Sequence, residues 1–226
     1  MNNASNMKVL ALAVSTALCA MAANVHAADW YVGAGFGAAH NGKSDSSTAS
    51  DARSALGASG YSFNNFGSGL SGNMSDQNST GLKFFVGKQI SPYFSVEGQF
   101  QGLGKTQGQF SGTVDGPEGG MSTSGTTTYE SKSLGIAVVG TLPISKDLSA
   151  SGKVGVMHWR SEASTNGSVD GTPISRSDKE NGNSAYYGLG LKYNFNPIAG
   201  VKLEWERAKI HSGNTDLITA SIVFGL

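Results

Sequence analysis

The stretch PYFSVEGQFQGLG, Pro92 to Gly104, sets large apolar side chains at alternate positions. Phe94, Val96 and Phe100 share one parity, with Gly98 in the gap; Ser95, Glu97, Gln99 and Gln101 share the other. Successive side chains of a strand point to opposite faces. One face of this strand is therefore apolar, and the other carries a carboxylate at mid-strand. A barrel in water turns its apolar face inward, whereas a barrel in lipid turns it outward. Which way Glu97 points decides the fold.

The same alternation recurs in eight segments: Trp30–Ala39, Gly81–Ile90, Pro92–Gly104, Ser133–Leu142, Leu148–Trp159, Ala185–Phe195, Val201–Ile210 and Leu217–Leu226. In the fourth, Leu134, Ile136, Val138 and Leu142 share a face. In the last, Ile218, Ala220, Ile222, Phe224 and Leu226 do. Short connections containing Pro92, Pro143 and Pro197 follow the second, fourth and sixth segments. Long polar stretches rich in Gly, Ser, Thr and Asn fill residues 40–80, 105–132 and 162–184, which read as loops. The remaining two prolines, Pro117 and Pro173, fall in those loops, as strand ladders require.

Composition narrows the class. The chain has 226 residues, with 16 basic against 16 acidic side chains and 32 glycines. Balanced charge argues against a nucleic-acid partner, which calls for a basic face. The N-terminus reads as an export signal. Lys8 precedes the apolar run Val9–Ala23, and Val25 and Ala27 place small residues before a cleavage point between Ala27 and Ala28. Residues 1–27 are thus set apart from the domain 28–226, and Met7 is an alternative start. Leu18 is too bulky for the position before a lipidated cysteine, so Cys19, the single cysteine, leaves with the signal. No disulfide or thiol chemistry is expected of the mature chain. No later run reaches the roughly 18 apolar residues of a membrane helix.

An even number of alternating strands, with tight turns at one end and long connections at the other, is the pattern of an outer-membrane barrel. The face composition agrees. An eight-stranded barrel has an interior just wide enough for side chains, and here the polar face is dense in glycine while the apolar face carries the bulk. The expected fold is an all-β, eight-stranded antiparallel up-and-down transmembrane barrel. A soluble sandwich or lipocalin-like barrel is the alternative. Trp30, Phe94, Tyr193, Phe195 and Phe224 fall near the proline turns, where a girdle of interfacial aromatics belongs. Glu97 then points into the lumen, as do Lys153, Lys192, Lys202 and Glu204 by strand parity. The third and seventh strands face each other in an eight-strand ring, so Glu97 can meet Lys202 or Glu204. Mixed signs at similar heights predict a paired network, because unpaired charges there are costly. Wetting by a polar interior is the plainer reading.

The chain resembles the OmpA transmembrane-domain family of Gram-negative outer membranes. The resemblance spans nearly the whole mature chain and rests on WYVGAGFG, SPYFSVEGQFQGLG, LPISKDLSASGKVGVMHWR and NPIAGVKLEW. It implies an interior charge network at Glu97, Lys153, Lys202 and Glu204. It departs where the family carries a basic residue, here Val139, and an acidic one, here Lys192. Many members continue into a peptidoglycan-binding domain, and the chain is expected to carry none. The family's last residue is often aromatic; here it is Leu226.

No catalytic constellation stands out, and no enzyme, metal or cofactor is expected. His40, His158 and His211 lie in separate segments. His211 and Ser212 invite comparison with barrel lipid hydrolases, but adjacent strand residues point to opposite faces. The first long loop carries Leu56, Tyr61, Phe63, Phe66 and Leu70, which read as a folded cap over the barrel mouth. The expected partners are outer-membrane lipid and lipopolysaccharide, the barrel-assembly machinery through the C-terminal strand, and a host or phage ligand at the loops. The expected role is structural, with a lumen closed by the charge network. A small-solute pore, and an adhesin or receptor acting through the loops, are the alternatives.

Overall fold

The computed structural model describes residues 29–42, 44–64, 68–116, 119–210 and 213–226. The expected signal segment and its cleavage point at Ala27 and Ala28 lie outside the described residues, as do Phe66, His211 and Ser212. Among the described residues no helix is long and apolar enough to cross a membrane.

The elements in chain order are β1 (Trp30–Asn41), α1 (Asp45–Ala58), β2 (Gly69–Asp76), β3 (Asn78–Ser91), β4 (Phe94–Gly116), β5 (Gly119–Pro143), β6 (Leu148–Val169), β7 (Thr172–Asn196), β8 (Ala199–Ile210) and β9 (Gly213–Gly225). Eight of the strands pair antiparallel in the ring β1–β3–β4–β5–β6–β7–β8–β9, which β9 closes onto β1 with Val32 opposite Phe224 and Phe36 opposite Ala220. Closure leaves the ring without a free edge. The apolar parity faces outward on all eight strands. Phe36 is 67% exposed and Leu142 66%, and Ile90, Leu134, Val154 and Phe195 are exposed in the same band. An uninterrupted apolar belt of this kind is stable only against lipid.

Among the described residues the three long polar stretches are largely strand and helix rather than irregular loop, and this corrects the sequence reading. β4 and β5 continue as a hairpin to Gly116 and Gly119. β6 and β7 continue to Val169 and Thr172. β2 pairs with the upper half of β4, from Gly69 opposite Thr113 to Asp76 opposite Gln107. The upper halves of β4 to β7, with β2, form a five-stranded sheet standing above the belt. These segments show no apolar period because their inner face is filled largely by hydroxyls. Thr127 and Thr165 hydroxyls lie 3.0 Å apart and those of Ser131 and Ser161 2.9 Å apart, each pair directly opposed. Pro173 falls inside β7, near the hairpin turn, where β7 pairs with β6 alone; an edge strand tolerates the missing N–H.

The change from barrel wall to upper sheet is made at a bulge in β4 between Gly102 and Lys105. Gly104 there has φ +69°, and a Cβ would meet the Thr80 carbonyl oxygen at 2.6 Å. Only glycine meets both conditions.

α1 lies on the inner face of the upper sheet. Its start is set by Ser44, whose hydroxyl accepts from the Ser47 N–H, with Asp45 in the first turn. Ala52 and Leu56 of the helix bury against Phe110, Val114 and Val169. Tyr61, Phe63 and Leu70 of the first connection pack around that cluster. Tyr129 sits beneath the helix against Thr48 and Asp51, and burial pushes its hydroxyl ionisation upward.

Candidate functional site: the barrel interior

Inward parity brings six charged side chains from four strands into one cluster. Lys153 on β6 places its Nζ 2.6 Å from Glu97 Oε1, 2.9 Å from Glu204 Oε1 and 3.0 Å from Glu206 Oε1. Lys202 lies 2.8 Å from Glu204 Oε1 and 3.3 Å from Glu97 Oε2. Lys83 on β3 pairs with Glu204 and, at 2.9 Å, with Glu206 Oε2. All six side chains are 7% exposed or less. The cluster holds three cations and three anions, so it is neutral as a unit.

Neutral groups complete the coordination. The Tyr31 hydroxyl donates to Glu97 Oε2 at 3.3 Å and lies 3.0 Å from the Ser95 hydroxyl. Gln101 donates to Glu206 at 2.6 Å and accepts from Ser133 at 3.1 Å. Lys153 also donates to Gln99 at 3.1 Å. The Phe85 ring lies beside the Lys83 and Lys202 ammonium groups, 5.3 and 5.1 Å from its centre. Room for the rings comes from glycine. A Cβ on Gly33 would fall 2.1 Å from Phe85 Cζ, and one on Gly87 would fall 2.0 Å from Tyr31 Cζ. This is the physical content of a glycine-dense inner face.

Of the five charges that parity assigns to the lumen, the structure brings four together: Glu97, Lys153, Lys202 and Glu204. Lys192 stands apart and has no ion pair among the described residues. Its cross-strand neighbours are Lys202 on β8 and Ser149 on β6, so no carboxylate shares its row. Lys83 and Glu206 take part instead. Both have inward parity, but parity does not give height. The stagger between strands does, and bulges at Gln89–Ser91 and Asn194–Asn196 help set it.

Above the cluster the interior turns apolar. Leu103, Met157, Trp159, Tyr186, Ile210 and Leu217 form one buried group with three alanines. Trp159 satisfies its indole N–H on the Ser184 hydroxyl at 3.0 Å. Below the cluster, toward the short turns, lies an open cavity of about 280 Å³. The stack from that end upward is therefore cavity, ion pairs, apolar layer and α1 with its sheet.

On the outer surface, Trp30, Phe94, Tyr193, Phe195 and Phe224 are exposed beside the short turns, where Tyr193 and Phe195 meet edge to face at 5.6 Å. At the opposite rim Trp205 and Tyr187 form a second edge-to-face pair at 5.7 Å. Asp216 there accepts from Trp205 Nε1 at 3.0 Å and from Arg207 Nε and Nη2 at 2.7 and 2.8 Å. Sequence reading missed this rim group, although Trp205, Arg207 and Asp216 all share the outward parity. His40 and His158 each lie 3.0 Å from an asparagine, Asn78 and Asn183. No group of metal-ligating side chains occurs among the described residues.

A lipid-facing apolar belt around an interior of buried ion pairs defines an integral barrel of the outer membrane. The chain belongs to the outer membrane protein β-barrel domain family, whose profile matches residues 10–226. No curated protein sequence matches it significantly. Among solved structures the fold is similar to that of Ail, the attachment invasion locus protein of Yersinia pestis, in complex with the heparin analogue sucrose octasulfate. That chain is 17% identical, with 87% of this chain and 99% of that one covered and a TM-score of 0.43. The outer membrane protein OprG from Pseudomonas aeruginosa is 12% identical over 88% of this chain and 97% of its own, with a TM-score of 0.47. Neisserial surface protein A is 11% identical over the same shares, with a TM-score of 0.46.

Proposed function

We propose that this protein is a closed structural barrel of the outer membrane that supports envelope integrity and carries a folded surface cap. The observation that carries the reading is the neutral six-charge cluster across the interior, with side chains no more than 7% exposed. A conducting lumen would need a wet path past those groups. A buried ion pair has most of its attraction offset by desolvation. Six charges held in mutual contact therefore argue for a fixed arrangement rather than a filter. The apolar layer above them and α1 on top point the same way.

In this reading the signal segment is removed between Ala27 and Ala28, and the outward alternation of Ile218, Ala220, Ile222 and Phe224 on β9 addresses the assembly machinery. Outer-leaflet lipopolysaccharide is a partner. Lys132 and Arg160 are exposed and directly opposed, one row above Leu134 and His158 at the top of the belt. Like charges so placed repel each other, which a lipid phosphate would relieve. The second reading is an adhesin or receptor. It is favoured by the upper sheet and helix, which present an ordered surface above the belt. It predicts that shortening the two long hairpins abolishes binding to host cells while the barrel survives.

The deciding experiment is conductance of the refolded barrel in a planar bilayer, after its band has been shown to shift between unboiled and boiled gel samples. A nearly silent membrane is expected. Steady single-channel conductance would replace the closed barrel with the small-solute pore.

A further inference from the structure

The cavity at the short-turn end holds Lys192, the one inward lysine among the described residues that the ion-pair cluster leaves out. Its volume is about 280 Å³, room for a small molecule rather than for a single water. Lys192 and Lys202 both line it and are directly opposed across β7 and β8. Lys202 is neutralised by Glu97 and Glu204 on its upper side. Lys192 is only half-buried, faces that like charge, and has no ion pair among the described residues. Hydroxyls of Ser95, Thr141, Ser149 and Ser151 surround the same space. Phe85, Val139 and Val223 give it an apolar wall. Asp147 stands at the mouth on the β5–β6 turn beside Lys146, so the turn adds no net charge.

A cation beside a like charge, in a recess walled by apolar side chains, is stabilised by an anion. The donors present are ammonium and hydroxyl groups, which suit an oxygen anion. The Val139 position matters here, because a basic residue in its place would fill the recess and add a further cation beside Lys192. Val139 is inward and buried, and leaves that volume open.

The geometry points to a periplasm-facing binding site for a small oxyanion, a carboxylate or phosphate group, held by Lys192 under the ion-pair ceiling. This goes beyond the closed-barrel reading and rests on it for the ceiling alone.

The test uses the refolded full barrel in micelles with isotope-labelled backbone amides. Acetate, its neutral isostere acetamide and inorganic phosphate are titrated separately. Saturable shifts at Ser95, Ser149 and Ser151 are expected with acetate and phosphate, and none with acetamide. Lys192→Gln should weaken both anions at least tenfold, Lys192→Arg should restore most of the affinity, and the surface control Lys209→Gln should change neither. Ser149→Val, which crowds the recess without touching a charge, should also weaken both. Equal response to acetamide, no saturable shift, or an unchanged affinity in Lys192→Gln and Ser149→Val would overturn the site. If acetate alone binds, the site is a carboxylate site; if phosphate alone binds, a phosphate site. Both results uphold the oxyanion inference and identify its source. A barrel that conducts steadily yet loses anion binding in Lys192→Gln would remove the closed-barrel reading and keep this site.

Discussion

Glu97 is the best place to weigh a single residue, because it touches two lysines and a tyrosine at once. Glu97→Ala leaves three buried cations facing two carboxylates. Breaking a buried pair by removing one partner costs about 3–5 kcal/mol, whereas replacing both partners by well-packed apolar side chains of similar volume is close to neutral. The single variant should therefore lose about that much stability, read as a lower urea midpoint of the refolded barrel. The double variant Glu97→Leu with Lys202→Met, which restores the charge balance and keeps the volume, should recover most of the loss. If Glu97→Ala lies within about 0.5 kcal/mol of wild type, as for an ordinary surface change, the interior charges are wetted and the cluster holds nothing together. Part of this was legible in the sequence. Period-two parity alone turns Glu97, Lys153, Lys202 and Glu204 to one side. Parity could not say that Lys192 falls a row away from every carboxylate, because that depends on stagger, and stagger depends on bulges that leave no apolar signature.

At the scale of the element, the upper hairpins were hidden for a different reason. Their inner faces carry mostly hydroxyls and glycine, with Phe110, Val114 and Val169 too widely spaced to set a period, and their outer faces are polar, so a search for apolar period finds nothing. A local signal was nonetheless present. Asp170 and Gly171 form a two-residue turn with φ of 45° and 82°, the dipeptide that a tight hairpin favours. α1 also had its marks: Ser44 followed by Asp45, then Ala52, Ala55 and Leu56 at helical spacing. Its run of Ser, Thr and Ala is too weakly apolar to register without the sheet it covers. The helix should accordingly be held by packing rather than by propensity. Leu56 is fully buried in the cap cluster, and Leu56→Ala should cost that cluster about 2–5 kcal/mol. The expected result is rapid proteolysis within residues 42–68 at a protease dose that wild type resists, with the gel shift of the barrel retained. Loss of the gel shift together with the cap would mean that helix and barrel form one cooperative unit. Unchanged resistance would mean that α1 is held by something other than this cluster.

For the whole molecule, the closed ring and the filled interior make different demands. The ring fixes strand order and register through backbone hydrogen bonds, and it would survive most changes inside. The interior is layered, and the layers fail independently. Removing a charge disturbs only the ion-pair layer, since Leu103, Met157, Trp159, Tyr186 and Leu217 lie above it. A hydrophobic constriction blocks ions by staying dry, whatever the state of the charges below it. Glu97→Ala alone should therefore remain nearly silent in a planar bilayer despite its lost stability. Trp159→Ala with Tyr186→Ala should also be nearly silent, because the ion pairs persist. The three substitutions together should conduct, in bursts limited by α1 at the upper mouth, and deleting residues 45–58 from that variant should turn bursts into steady current. Each protein would first be shown to shift on the gel, so that current is read from intact barrels. Steady current from Glu97→Ala by itself would show that the apolar layer is no barrier and that the charges alone close the lumen. Silence from the triple variant with α1 removed would place the barrier outside all three layers.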